Sequence, residues 1–148
     1  MDDFEKLRRE YTMKTLNPEE VEKEPVSQFR TWFDEAVNAE VPDANAMTLA
    51  TVDGYGHPSA RIVLLKEVKA DGFVFFTNYN SRKGLEINGN PNGALVFFWP
   101  QLERQVRIEG IIEKIPYPES DEYFQSRPLE ARLGAIASPQ SRRIESRE

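Results

Sequence analysis

The chain has 148 residues with 39% hydrophobic and 11% aromatic content, enough for one domain with a core of its own. A formal charge of −6 and a pI near 5.0 argue against a nucleic-acid partner, which selects for a basic face, and the absence of cysteine excludes disulfides and thiolate chemistry. No apolar run approaches the ~20 residues of a membrane span and no signal peptide is evident, so the chain reads as cytoplasmic, with no membrane partner.

Residues 1–24 are highly charged, with Phe4, Leu7 and Tyr11 forming a thin apolar stripe at helical spacing. They read as a weak helix or an arm. Its cluster Arg8-Arg9-Glu10-Tyr11 is either a solvated face or a lid over a ligand. The domain proper, 25–148, opens at Pro25 with a helix whose stripe is Phe29, Trp32, Phe33 and Ala36, ending near Val41-Pro42.

From Ala46 the period becomes that of a strand. Met47 to Val52, a turn at Asp53-Gly54-Tyr55-Gly56, and Ser59 to Lys66 form a hairpin; Ala70-Asp71-Gly72 then turns into the aromatic strand Phe73 to Thr77. The sole histidine, His57, belongs to that first turn, where a loop position is the default and a catalytic role the exception. Antiparallel strands joined by short glycine turns predict a meander, and meanders of this kind tend to close into barrels.

The four branched residues in Arg61-Ile-Val-Leu-Leu-Lys66 predict a strand covered on both faces. Alternation sends Arg61, Val63 and Leu65 one way and Ile62, Leu64 and Lys66 the other, so the two cations serve different groups. Each either snorkels to solvent or meets an anion. The window 61–83 strengthens the second reading, with five cations against two carboxylates inside an acidic chain.

Ser81 is a natural N-cap for a short helix running to about Asn88 and stopped by Gly89 and Pro91. Arg82 and Lys83 fall in its first turn, where the helix dipole disfavours cations unless an anion is near. Free backbone N–H groups, two cations and the Ser81 hydroxyl suit a phosphate; two idle surface cations are the plainer alternative. Ala94 to Trp99 is a further strand, and Leu102 to Ile115 a long one with Val106, Ile108, Gly110 and Ile112 on one face. Gln105 on the other face is either exposed or a reader of a heterocycle edge. A helix from Pro118 carries Tyr123 and Arg127, four apart and able to clamp a phosphate together, and further helical turns follow from Leu129 to Ala137.

Arg61 to Lys66, Phe76-Thr-Asn78, Ser81-Arg-Lys83, Leu102-Glu-Arg-Gln-Val106, Tyr123-Phe-Gln-Ser-Arg-Pro128 and Gln140-Ser141, occurring in that order, resemble the pyridoxine/pyridoxamine 5′-phosphate oxidase family. The resemblance begins at Leu7-Arg-Arg-Glu-Tyr11 and covers nearly the whole chain. It implies a mainly β, antiparallel split barrel with flanking helices, binding FMN at the interface of a homodimer. It also implies oxidation of pyridoxamine or pyridoxine 5′-phosphate by O₂, with release of hydrogen peroxide.

On that resemblance Arg61, Arg82, Lys83, Gln140 and Ser141 hold the FMN phosphate. Ile62, Val63, Leu64, Leu65, Lys66, Phe76 and Thr77 line the flavin, and Gln105 reaches it from the partner subunit. Lys66, Tyr123 and Arg127 grip the substrate phosphate, and Arg8 and Tyr11 belong to the lid. No residue stands out as a general base. Phe76 replaces a frequent Tyr, and Ala131 replaces a Ser that adds a substrate hydrogen bond, typically ~0.5–1.5 kcal/mol. The family pattern also continues past Glu148 to a Trp-Gly-Gly segment and an Arg-Leu-His-Asp-Arg motif. The chain therefore reads as the oxidase, in a short form or as part of a longer one, with a non-catalytic flavin or pyridoxal-phosphate module as the alternative.

Overall fold

The computed structural model describes residues 4–12, 15–78 and 80–115. Helix α1 (Pro25–Asn38) starts on a proline, whose missing N–H costs nothing at a first helical position. It ends slightly before Val41-Pro42, because Glu40 takes a left-handed φ of 56° and Val41 N–H turns back to Ala36 O at 3.0 Å. Its expected stripe is the face that packs: Phe29 and Ala36 are buried, with Trp32 and Phe33 half-buried against the same cluster.

Among the described residues five strands follow: β1 (Ala46–Val52), β2 (Pro58–Lys69), β3 (Gly72–Phe75), β4 (Asn92–Trp99) and β5 (Arg104–Ile111), with helix α2 (Arg82–Gly89) between β3 and β4. The antiparallel sheet has the order β3-β2-β1-β4-β5. The expected meander holds only for its first three strands. After α2 the chain returns to pair Thr48 of β1 with Val96 of β4, so the first four strands form a Greek key.

The β1–β2 turn is held by Asp53, whose carboxylate accepts the N–H groups of Tyr55 at 2.8 Å and His57 at 2.9 Å, while Gly56 supplies the positive φ of 85°. His57 is exposed there, 3.2 Å from Asp53 Oδ2 and remote from the core.

The inner face of the curled sheet, a half-barrel, carries Met47, Leu49, Val63, Leu65, Leu95, Phe97 and Trp99. Phe29 of α1 inserts among them, edge-on to Phe73 with ring centroids 4.8 Å apart and 4.9 Å from Phe97. The Trp99 indole N–H donates to Ala44 O at 2.9 Å, so this large side chain buries no unpaired donor. Arg104 ties α1 to β5: it donates to Glu35 at 2.7 Å and lies 4.6 Å from the Trp32 ring centre.

Several expectations need correction. The segment Arg61 to Lys66 is covered on one face only; Ile62 and Leu64 on the other face are exposed. β3 stops at Phe75, leaving Phe76 and Thr77 outside the strand, and β5 spans Arg104–Ile111 rather than 102–115. Among its described residues the arm holds only a short 3₁₀ turn, Phe4–Leu7, and its stripe Phe4, Leu7 and Tyr11 is exposed. The helices expected over 118–137 lie outside the described residues.

Candidate functional site

The site grows from the way β2 changes partners. β1 pairs with β2 from Pro58 to Leu64, whereas β3 pairs with it only from Leu65 to Lys69, with an irregularity between Leu65 and Glu67. Among the described residues, the β3-side edge of β2 at 61–64 carries no strand, so its backbone polar groups face an open margin. Lys66 sits in the irregularity, and bulges of this kind re-aim a side chain. Its neighbours Leu65 and Glu67 keep the register on either side.

Phe76 and Thr77 carry the chain from β3 to α2 past this margin. The Thr77 hydroxyl lies 3.5 Å from that of Ser81, the N-cap of α2. Ser81 Oγ accepts Gly84 N–H at 3.2 Å and donates to Asn78 O at 2.7 Å, so its hydroxyl chiefly builds the cap. Arg82 and Lys83 occupy the first turn, as their spacing from the cap requires. Arg82 is exposed and Lys83 is 6% exposed.

Arg61 reaches the same place from the inner face of β2. Its guanidinium donates to Leu49 O at 3.1 Å, Thr51 Oγ1 at 2.6 Å, Ser59 Oγ at 2.7 Å and Glu86 Oε2 at 3.3 Å. Glu86, buried on α2, is the centre of this network. Its Oε2 also accepts the hydroxyls of Thr51 at 2.5 Å and Ser59 at 2.6 Å, and its Oε1 accepts Arg82 Nε at 2.8 Å. Burial alone would raise its pKa, but the hydrogen bonds from Ser59, Thr51, Arg82 and Arg61 more than offset this and lower it to about 2. Loss of solvent, and then the charge of Arg61, push the Lys83 ammonium below its ordinary range.

Glu86, Thr51 and Ser59 are functional candidates that the sequence reading missed. Arg82 and Glu86 stand at i and i+4, a readable pair; the contacts from Thr51, Ser59 and Arg61 join residues 25 or more apart and leave no periodic signal. Arg61 and Arg82 converge on one carboxylate, and Lys83 adds a third cation at the start of the same helix, a set of donors suited to a phosphate monoester. The residues present fit such a group.

The structure thus brings Arg61, Thr77, Arg82 and Lys83 together at one end of the half-barrel. Ile62 and Leu64 lie on the outer face of the same strand, with Val63 and Leu65 turned inward, and Lys66 is exposed at the bulge. Gln105 is also outward, opposite Phe98 on β4. In sheet order β1 and β4 stand between it and β2, about 14 Å at ordinary strand spacing. Arg8 and Tyr11 are exposed on the arm, which is fastened through Arg9: its guanidinium donates to Pro100 O at 2.7 Å and lies 3.9 Å from Glu103. Tyr123, Arg127, Gln140 and Ser141 lie outside the described residues.

A cleft of about 990 Å³ opens between β3, α2 and the β4–β5 hairpin, with Phe75, Thr77, Gly84, Leu95, Ile108 and Ile112 among its walls. It is largely apolar, and α2 lends it Gly84, Ile87 and Asn88 rather than the charged cluster. No group of three or more potential metal-ligating side chains occurs among the described residues. No helix among them is long and apolar enough to cross a membrane.

A Greek-key half-barrel with a cationic helix start beside an open strand margin defines the split-barrel class, whose solved members include flavin-binding proteins. PhzG from Burkholderia lata 383, solved with tetrahydrophenazine-1-carboxylic acid, superposes with a TM-score of 0.86 over 91% of this chain and 68% of its own, at 26% identity. An FMN-binding, pyridoxamine 5′-phosphate oxidase-related protein from Nostoc punctiforme shares the fold, with a TM-score of 0.60 over 80% of this chain and 63% of its own, at 23% identity.

The family model described as pyridoxamine 5′-phosphate oxidase matches residues 33–148, and the chain belongs to that family. The pyridoxine/pyridoxamine 5′-phosphate oxidase of Cupriavidus metallidurans is 58% identical over 96% of this chain and 67% of its own length. That of Bordetella pertussis is 61% identical over 93% of this chain and 66% of its own. The chain therefore spans about two thirds of the length of these relatives.

Proposed function

We propose that this chain binds FMN and serves the oxidation of pyridoxamine or pyridoxine 5′-phosphate to pyridoxal 5′-phosphate, with O₂ as acceptor and hydrogen peroxide as product. The observation that carries the reading is the convergence of Arg61 and Arg82 on Glu86 with Lys83 in the same helix start, cations that suit the FMN phosphate. The names of relatives 55–61% identical to this chain support the substrate class. Gln140 and Ser141 complete the phosphate site in this reading.

Bound there, the flavin would supply a hydride acceptor that O₂ can reoxidise. The chain's own task is placement. The open margin of β2 at 61–64, with Phe76 and Thr77 beside it, gives the ring a flat bed of backbone donors and acceptors. Lys66, displaced by the bulge, grips the substrate phosphate with Tyr123 and Arg127. Two anchored phosphates hold donor carbon and flavin at reacting distance.

The reading extends to a homodimer. Ile62, Leu64 and Phe98 are exposed on one outer face, an arrangement suited to a second copy, which would bring its Gln105 to the flavin. Residues 1–24 act as the lid that carries Arg8 and Tyr11, anchored by Arg9 at the β4–β5 turn. Residues 25–148 act as the flavin-binding domain.

The test is an absorbance spectrum of the purified chain after FMN loading and removal of excess, followed by anaerobic addition of pyridoxamine 5′-phosphate. A retained flavin band that bleaches, and returns on admission of air, is expected. A retained band that substrate leaves untouched would favour the non-catalytic flavin module, and no retained band would overturn the flavin reading for this chain.

A further inference from the structure

Glu86 is a carboxylate placed where the surrounding cations call for an anion. Its side chain is 7% exposed, and each oxygen is engaged: Oε1 by Arg82, Oε2 by Arg61 and by the hydroxyls of Thr51 and Ser59. Arg61, Arg82 and Lys83 crowd one helix start, and Lys83 is both desolvated and pressed by the Arg61 charge. Arg61 and Arg82 drawn to one place with no anion between them would strain the fold whenever no ligand was bound.

We infer that Glu86 is the resident counter-ion of this site: it holds the cations together while the site is empty, and it competes with an incoming phosphate for Arg61 and Arg82. The inference rests on the reading that these cations face a phosphate monoester. Two guanidinium groups that a phosphate would draw on are shared with a carboxylate fixed within the protein. The same carboxylate repels a dianion at close range, where the low local dielectric leaves charges poorly screened.

Glu86 is a positioning residue, since it acts through the cations rather than on a flavin. Its neutralisation drives two readouts in opposite directions. The empty protein loses the anion that offsets its cations and becomes less stable, while phosphate affinity rises because the competitor is gone. A merely structural side chain would move both the same way, since a loosened site binds more weakly.

The experiment compares the full chain with its Glu86→Gln variant, in which one amide oxygen still accepts the Thr51 and Ser59 hydroxyls. Thermal midpoints are taken in chloride and in inorganic phosphate at matched ionic strength. The variant is expected to melt lower than the parent in chloride and to gain more from phosphate. Dissociation constants for FMN and for riboflavin, which lacks the phosphate, follow from flavin fluorescence quenching. FMN is expected to bind about tenfold tighter to the variant, with riboflavin unchanged.

Weaker or unchanged FMN binding, a parallel change for riboflavin, or a phosphate gain no larger than the parent's would overturn the counter-ion role. If neither protein retains flavin but the variant still gains more from phosphate, the flavin reading fails and the role of Glu86 stands. Should Glu86→Gln not fold, Glu86→Asp keeps the charge but withdraws it by one methylene from both guanidinium groups. Changes of the same sign and smaller size are then expected, and unaltered FMN-to-riboflavin discrimination would count against the role.

Discussion

At the scale of single residues, the alternation of β2 decides which chemistry each cation can do. Arg61 turns inward to Glu86, and Lys66 sits exposed in the bulge, where the alternation breaks. The inward turn of Arg61 was legible from period two alone. The partner was not, because no local pattern links Arg61 to a carboxylate 25 positions away. Lys83 yields a direct prediction. Lys83→Ala is expected to weaken FMN binding by about 10- to 100-fold, the worth of one hydrogen bond from a charged donor, while riboflavin titration stays level. Equal loss of both ligands in a fluorescence titration would show that Lys83 shapes the ring site instead. Glu86 yields a second prediction, on pH. Its pKa falls from 4.5 to about 2 on folding, so its contribution to stability is complete above about pH 4.5 and is lost as pH drops toward 2. In urea melts, the stability advantage of the parent over Glu86→Gln is expected to shrink across that window and to stay flat above it. A constant advantage from pH 6 to pH 3 would mean that folding leaves the Glu86 pKa at its unfolded value.

At the scale of elements, helix starts and turns were legible because their chemistry is local: Pro25 at α1, Ser81 at α2, and Asp53 with Gly56 in the first hairpin. The position of β4 was not. Turn signals say where a strand begins but not which neighbour it joins, and the helix after β3 carries the chain back to β1. Gly93 marks that return. It pairs with Thr51 on one side and Gly110 on the other, and a Cβ there would meet Ile112 Cδ1 at 2.5 Å and Ala50 O at 3.3 Å. The Ile112 tip can swing aside, whereas the Ala50 carbonyl belongs to the sheet. Gly93→Ala is therefore expected to cost about 1 kcal/mol and Gly93→Val about 2–3 kcal/mol, the usual range for overpacking. Adding Ile112→Ala to Gly93→Ala is expected to recover part of the loss, read as a coupling in a double-mutant cycle of urea melts. Strict additivity would show that the carbonyl contact, not the isoleucine, sets the cost.

At the scale of the whole molecule, the expectation of a strand covered on both faces failed for a reason that composition cannot reveal. Four branched residues in a row look alike whether the second cover is another layer of the same chain or another molecule. Here α1 covers the inner face, and the outer one leaves Ile62 at 65%, Leu64 at 43% and Phe98 at 57% exposure. Apolar side chains grouped on one sheet face fit an association surface, in line with the proposed homodimer. A charge at Phe98 tests this without touching the core, because Phe98 points away from Phe97 and Trp99 and lies opposite Gln105. Phe98→Glu is expected to leave the stability of the isolated fold within about 0.5 kcal/mol, as exposed substitutions usually do. The same change places two carboxylates in any symmetric contact made through this face, so sedimentation equilibrium is expected to show a shift toward monomer. If Gln105 of a second copy completes the flavin site, FMN retention must fall with the dimer and recover at higher protein concentration. Monomer formation with undiminished FMN binding would place the whole flavin site within one chain. An unchanged dimer would put the contact elsewhere and leave the exposed apolar face to be covered by some other part of the protein.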